Sequence, residues 1–524
     1  VIGVTVALPE SRRPPLGDGG RNVPAHDPEG KRRTSAPGGP GDPDRTGATG
    51  GDRCARRRPR VTSAAFWRRW APMAPAVATV LVLCMPVQTG DVTMSGKATP
   101  ADAASLVLVV WCLVRLLRGR GGRLTPMAAS VLGAPAVAFA VATAASADPS
   151  ASVPGFVRYM QIFVLIPGAL LLLVRGTRDF RLLCWAMVVL ALVQGAVGVV
   201  QSVTLTGASY MGKDVRAVGT FGPLDVMGMS TVVSLGLVAA FALCLADPRE
   251  SSRRQRVTAM ACAAALVPPL VLSYSRGAWI ATAVACLAVL LLAGARRAVA
   301  VLLALAAASV VLVGGFGVGS SMVEERLTSI THIGSAPDRS VTDRYSLWSA
   351  ATSMWQDDPL TGVGPKNFPA HRDGHASVGL SSGSDTAGAG MQFQKEPLLS
   401  PHNMYLLVLS EQGLIGAVAF VGGGGVLLLC GLRRLYAARR ARPGGPTDAP
   451  GTADCGLAAV GLFVWQGVDF LYADIGGPST VMTAVLLGAI TWWALVSSPA
   501  APAAAPRPDS SVPTADGKAE APAR

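Results

Sequence analysis

Runs of roughly 20 apolar residues recur along this chain, and the short connections between them are alternately rich and poor in arginine. A helix needs about 20 such residues to cross a bilayer core. Only helices and closed barrels span it, because every backbone N–H and C=O must be paired internally there. Against that length about twelve runs qualify: 71–88, 102–117, 125–147, 156–174, 182–205, 226–246, 257–274, 278–295, 298–318, 413–432, 455–474 and 478–497. Arg115, Arg118, Arg120 and Arg123 follow the second run, Arg175, Arg178 and Arg181 the fourth, and Arg249, Arg253, Arg254 and Arg256 the sixth. Arg296 and Arg297 follow the eighth, and Arg433, Arg434, Arg439, Arg440 and Arg442 the tenth. Every second connection is therefore basic, the positive-inside pattern of a protein whose two termini are cytoplasmic. Half of the chain is hydrophobic and only 15% is charged, too oily a balance for a soluble protein of 524 residues. The expected class is all-α: a polytopic protein of the cytoplasmic (inner) membrane with about 12 transmembrane helices.

The formal net charge of +14 does not point to nucleic acid, because the arginines lie in tracts between apolar runs and aromatics make up only 6%. Residues 1–66 carry Lys31–Arg33 and the Arg53–Arg60 tract among Gly, Pro and Ser, and read as a disordered basic cytoplasmic tail. No n-region, short apolar stretch and cleavage site opens the chain, so the first span is expected to remain as an anchor. The transmembrane runs fall into 67–318 (the first nine) and 413–497 (the last three), and the Ala/Pro-rich 498–524 reads as a second disordered tail. Between them, 319–412 is a connection of about 90 residues on the extracytoplasmic side, long enough to expect function there. Eight of the nine cysteines lie inside the apolar runs without CxxC spacing, so neither a disulfide framework nor a metal site is expected.

Three outward stretches hold ionisable residues that need a reason. In RAVGTFGPLDVMG, Arg216 precedes a Gly/Pro turn into the sixth span. In LSYSRGAWI, Arg276 sits between two apolar runs joined by a minimal turn. A guanidinium in mid-membrane costs about 2.5 to 3.5 kcal/mol, so both belong at the outer helix ends, facing a cavity or lipid phosphates. In the long connection, Arg344, Trp348, Ala351 and Trp355 share one helical face, which Pro359 and the TGVG turn terminate. That face suits either an interfacial helix roofing a cavity or an ordinary packed helix.

His371 and His375 in HRDGH have the spacing of a zinc-binding helix, but Arg372 replaces the catalytic glutamate and Gly374 disfavours the helix. His332 reads as a solvated loop residue. His402, between Pro401 and Asn403, reads as a polar helix cap or as a base with one ring nitrogen facing a substrate. Glu411 falls on the opposite helical face, and EQG (411–413) marks a break before the tenth span.

These pieces, in this order, resemble the O-antigen ligase and polymerase family of bacterial membrane glycosyltransferases. The residues that carry the resemblance are RAVGTFGP (216–223), SYSRGAW (273–279), DRYSLWSAATSMWQDDPLTGVGPKNF (343–368) and PHNMYLLVLSEQGLIG (401–416), within roughly 71–497. The chain departs at Leu224 and Asp225, where the family often has asparagine after the proline, and in its long basic N-terminal tail.

The resemblance implies a glycosyltransferase-C-like architecture with an outward cavity open to lipid. It implies a donor glycan linked through diphosphate to a polyprenol, commonly undecaprenol, and an acceptor hydroxyl on a glycan, a lipid-anchored core or a wall polymer. No metal or other cofactor is expected. On this footing Arg216 and Arg276, with Arg344 as a third candidate, bind the donor diphosphate, and His402 is the base of an inverting transfer. A polymerase of lipid-linked repeats is the alternative within the family. A transporter or flippase of lipid-linked sugars is the alternative of another class.

Overall fold

The computed structural model describes residues 71–86, 99–120, 122, 124–209, 215–247, 251–309, 339–377, 380, 384–388, 394–396, 398–440 and 453–496. All lie in one compact unit, Thr62–Arg524. The two expected tails and His332 lie outside the described residues.

The helices are α1 (Ala74–Leu81, extended by a 3₁₀ turn to Cys84), α2 (Pro100–Leu117), α3 (Pro126–Ala145), α4 (Pro149–Leu173), α5 (Thr177–Thr204) and α6 (Gly228–Cys244). They continue with α7 (Arg253–Leu272), α8 (Arg276–Ala293), α9 (Ala295–Ser309), α10 (Arg339–Asp357), α11 (Phe368–His375), α12 (Met404–Arg440), α13 (Ala453–Asp469) and α14 (Thr480–Leu495). Starts are set locally. Thr99, Thr125 and Asp148 each cap a helix whose first residue is proline, a position where the missing N–H costs nothing.

The expected apolar runs overlap helices where their residues are described, the ninth only as far as Ser309. Seven of these, α2, α3, α4, α5, α7, α8 and α12, are long and apolar enough to cross a membrane by length and composition. The chain is thus a multi-pass membrane protein. On α2 and α12, large apolar side chains such as Leu106, Val107, Leu113, Val418 and Val421 are exposed, as lipid-facing residues are. The shorter α6, α13 and α14 are buried almost all round and form the centre. Small residues allow that packing: a Cβ on Gly236 of α6 would stand 2.2 Å from that of Ala191 on α5.

The two ends of the bundle differ in chemistry. At one, Arg181 forms a two-pronged pair with the buried Asp454 (2.6 and 3.0 Å), Arg297 donates to the Leu245 carbonyl (3.3 Å) and Arg175 to that of Arg120 (3.0 Å). At the other, about 27 Å away along the 18 residues of α2, Asp102 pairs with Arg158, which also donates to the Gly477 carbonyl (3.2 Å). The arginine-rich connections thus meet at one end, and the long connection with its partner turns at the other.

The class is all-α, and four short strands accompany the helices. Ala208–Ser209 (β1), Val215–Arg216 (β2), Ser384–Gly388 (β3) and Gln394–Glu396 (β4) form an antiparallel sheet of order β2-β1-β3-β4. Ala208 lies opposite Arg216 on one side and Gly388 on the other. These segments lack helical periodicity, and pairing satisfies their backbone instead.

The long connection is stitched to α12 where that helix breaks, at Gly413 (φ 61, ψ −162). Backbone bonds run from Val363 N–H to Ser410 O (3.0 Å), Gly364 N–H to Glu411 O (2.9 Å) and Leu414 N–H to Pro359 O (2.8 Å). The contact is so close that a Cβ on Gly413 would lie 2.3 Å from the Leu360 carbonyl carbon. A Cβ on Gly364 (φ 100) would lie 2.5 Å from the Ser146 and Ser152 hydroxyls. Gly413→Ala and Gly364→Ala should each cost about 1 to 3 kcal/mol and lower the melting temperature in detergent. Gly374→Ala, where nothing lies within 4 Å, should melt like the parent.

Candidate functional site

Arg216 is placed by two glutamines that α5 carries seven residues apart on one face. The Gln201 side-chain oxygen accepts the N–H groups of Val218 (3.0 Å) and Gly219 (2.8 Å), and that of Gln194 accepts Thr220 N–H (2.9 Å). Gly219 (φ 65) is required, since a Cβ there would meet Gln194 Oε1 at 2.3 Å. The neighbouring Ala217 N–H bonds Leu272 O (3.2 Å), and the Arg216 guanidinium donates to Tyr274 O (3.4 Å). RAVGTFGP is thereby held against SYSRGAW.

In the second motif, Tyr274 adopts a left-handed conformation (φ 50), and Ser275 caps α8 by accepting from Ala278 N–H (3.3 Å). Arg276 is the first residue of α8, half-buried, at the positive dipole end of that helix. Asp225, at the departure from the family pattern, accepts Ser479 N–H (3.0 Å) and ties this region to the turn before α14. Burial pushes its carboxyl up to about 6.

His402 is not the cap of α12. Asn403 is: its side-chain oxygen accepts the N–H groups of Tyr405 (3.0 Å) and Leu406 (3.1 Å), while its amide donates to Leu471 O (3.3 Å). His402 stands just outside the helix in a left-handed conformation (φ 49), one that histidine tolerates better than most residues. The preceding Pro401 carbonyl accepts the Trp348 indole N–H (2.9 Å).

Helix α10 is thus packed, with Leu347, Ala350, Ala351 and Met354 buried and Trp348 on the flank. It brings the half-buried Arg344 within electrostatic reach of His402. Burial lowers the basicity of His402, Arg344 lowers it further, and Asp474 opposes them. Burial likewise lowers the basicity of Arg344, against the pull of Asp474.

Asp474 was not singled out from the sequence, where it reads as the end of the eleventh apolar run. A carboxylate before GGP at an outer helix end was the signal. Its Oδ2 is buried and without a hydrogen-bond partner among the described residues. The turn that carries it is anchored by Met404 N–H, which bonds the carbonyls of Phe470 (2.9 Å) and Ala473 (3.1 Å). Tyr472 of the same turn packs against Gly277, next to Arg276. Arg344 with His402, and Arg216 with the Arg276 turn, are therefore two pairs that share the 470–476 segment.

Glu411 is structural. It is 2% exposed and accepts the Tyr159 hydroxyl (3.0 Å) and Phe368 N–H (3.3 Å). HRDGH does form a helix despite Gly374, because Pro365 to Asn367 and the α12 joint already fix its start. There His375 ties α11 to α10 through the Ser353 hydroxyl (3.0 Å).

The net effect on His402 is a lowered pKa, so its sign under substitution is fixed. Asp474→Asn removes the opposing charge and should move the His402 titration to still lower pH, whereas Arg344→Gln should move it up. Histidine Cε1–H resonances followed against pH would show both displacements; unchanged titration in both variants would break the electrostatic link.

Residues 258–421 match the sequence model of the O-antigen ligase family, so this part of the chain is similar to that family. The match includes Arg276, Arg344 and His402, and leaves Arg216 and Asp474 outside. A search of curated proteins returns no match.

Proposed function

Starting from that similarity, we propose that the protein transfers a glycan from a polyprenyl diphosphate to an acceptor hydroxyl, on the extracytoplasmic face of the cytoplasmic membrane. The observation that carries this reading is the Trp348 indole bond to the Pro401 carbonyl (2.9 Å), which holds the helix of Arg344 against the residue before His402, beside the 470–476 turn that also borders Arg276. All of it lies at the end of the bundle opposite the arginine-rich connections. By the positive-inside rule that end faces outward, with about twelve crossings and both termini cytoplasmic.

In the proposed reaction the acceptor oxygen attacks the anomeric carbon, and the bond from that carbon to the diphosphate oxygen breaks. The acceptor proton passes to His402, the polyprenyl diphosphate leaves with the electron pair, and the proton is later released to water. A lowered pKa suits His402 to this task, since it keeps the imidazole neutral at external pH. Attack opposite the leaving group inverts the anomeric configuration. Arg216 and Arg276 bind the donor phosphates, and guanidinium forks meet such oxygens with charge-assisted, often bidentate bonds. The helix end at Arg276 adds N–H donors to the same anion. Arg344 is within reach of the developing charge, where a preorganised cation counts most.

The test uses purified protein, polyprenyl-diphosphate-linked glycan and candidate acceptors, with release of the carrier diphosphate followed over time. His402→Ala should reduce the rate by about 100- to 10,000-fold, the range for general acid–base groups. Arg276→Lys should lose about 10- to 100-fold in kcat/KM, the worth of a charged hydrogen bond of about 1.5 to 3 kcal/mol. Carrier release at the parental rate by His402→Ala would remove the base from the mechanism. Transport of donor without bond cleavage would point to a flippase, and products that lengthen by repeat units to a polymerase.

A further inference from the structure

At the arginine-rich end, remote from His402, a cavity of about 510 Å³ opens between α2, α3, α4 and α14. Leu172, Leu495 and Val496 form part of its apolar wall, and Arg120, Arg175 and Thr125 stand on its polar side. Arg115, in the last turn of α2, is close enough to repel both Arg120 and Arg175. The guanidinium groups of Arg115 (3.5 Å) and Arg175 (3.0 Å) turn to one and the same acceptor, the carbonyl of Arg120. The nearby Asp179 carboxylate accepts the backbone N–H of Arg175 (3.0 Å). Among the described residues, no ion pair joins a carboxylate to any of these three guanidinium groups. Two guanidinium groups thus converge on one neutral oxygen, and the charge of Arg120 itself stands close by, at the rim of a part-apolar cavity. Arg181, at the same end, is by contrast matched by Asp454.

Like charges gathered this closely call for an anion, and the apolar wall calls for a hydrocarbon chain attached to it. Both stand just beyond the end of a membrane-crossing helix, at the depth where lipid phosphates lie. We propose that this cavity binds the phosphodiester headgroup of an anionic phospholipid, with its acyl chains following Leu172, Leu495 and Val496 into the bilayer. A free phosphate would satisfy the guanidinium groups and leave the apolar wall uncovered. The site does not depend on the glycan-transfer reading, since none of its residues takes part in that chemistry.

The test is native mass spectrometry of the full chain in detergent, with phosphatidylglycerol, phosphatidylcholine and inorganic phosphate as separate probes. Phosphatidylglycerol should be retained in preference to phosphatidylcholine. The double variant Arg120→Gln/Arg175→Gln should weaken that retention by about 30-fold, roughly fivefold for each arginine beside an anionic headgroup. Arg433→Gln/Arg440→Gln, exposed at the same end and away from the cavity, should retain it as the parent does. Equal retention of the two lipids by the parent protein would overturn the proposal without any variant needing to fold. Displacement of the lipid by inorganic phosphate at matched ionic strength would reduce the site to a bare anion site and overturn it too.

Discussion

The backbone joint between the 359–364 turn and the break in α12 is what the outer half of the molecule is built on. Where α12 leaves helical geometry at Gly413, the carbonyls of Ser410 and Glu411 and the N–H groups of Leu414 and Ile415 lose their partners within the helix. In a membrane protein such groups cost several kcal/mol each if nothing replaces those bonds. The turn replaces all four, through Val363, Gly364, Pro359 and Leu360. The long connection and the span below it therefore form one unit, and α10, just before the turn, cannot wander. Its Trp348 holds the Pro401 carbonyl, and its Arg344 approaches His402.

A second constraint is the 470–476 turn, which supplies carbonyls to Met404 N–H and the Asn403 amide, a carboxylate to the neighbourhood of His402 and an aromatic ring to the edge of the Arg276 helix. Because Asn403 takes the capping duty, His402 is spared it and stands just outside the helix in a left-handed conformation. Acids stand beside cations at this end of the bundle: Asp102 pairs with Arg158, and Asp474 acts on Arg344 and on the neighbouring His402.

Much of this was legible residue by residue. Gly362, Gly364 and Gly413 sit at positive φ where a Cβ would collide with backbone or a buried hydroxyl, and the TGVG and EQG turns could be read as helix stops before any coordinates. Arg216 and Arg276 stood out because a charge beside an apolar run demands a reason. Asp474 did not, because it closes an apolar run and Arg344 and His402, on which it acts, come from two other segments. Gln194 and Gln201 were lost inside a 28-residue apolar helix, although their spacing of seven was visible. Whether His402 caps the helix or stands free of it was open, since Pro-His-Asn offers two polar candidates and only the side-chain bonds of Asn403 separate them. The strands were missed because pieces of two to five residues have no period to detect.

Residence in a membrane, the helical class and the separation of a basic end from a site-bearing end follow from hydropathy and charge alone. Those are sums over neighbouring residues, and each apolar run carries its own answer. Which ionisable groups meet was decided only by the packed chain. The Trp348 to Pro401 bond spans 53 positions and the Tyr159 to Glu411 bond 252. Contacts at such separations leave no local pattern, so the convergence of Arg344, His402 and Asp474, and of Arg115, Arg120 and Arg175 at the far end, exists only once the helices have closed on one another.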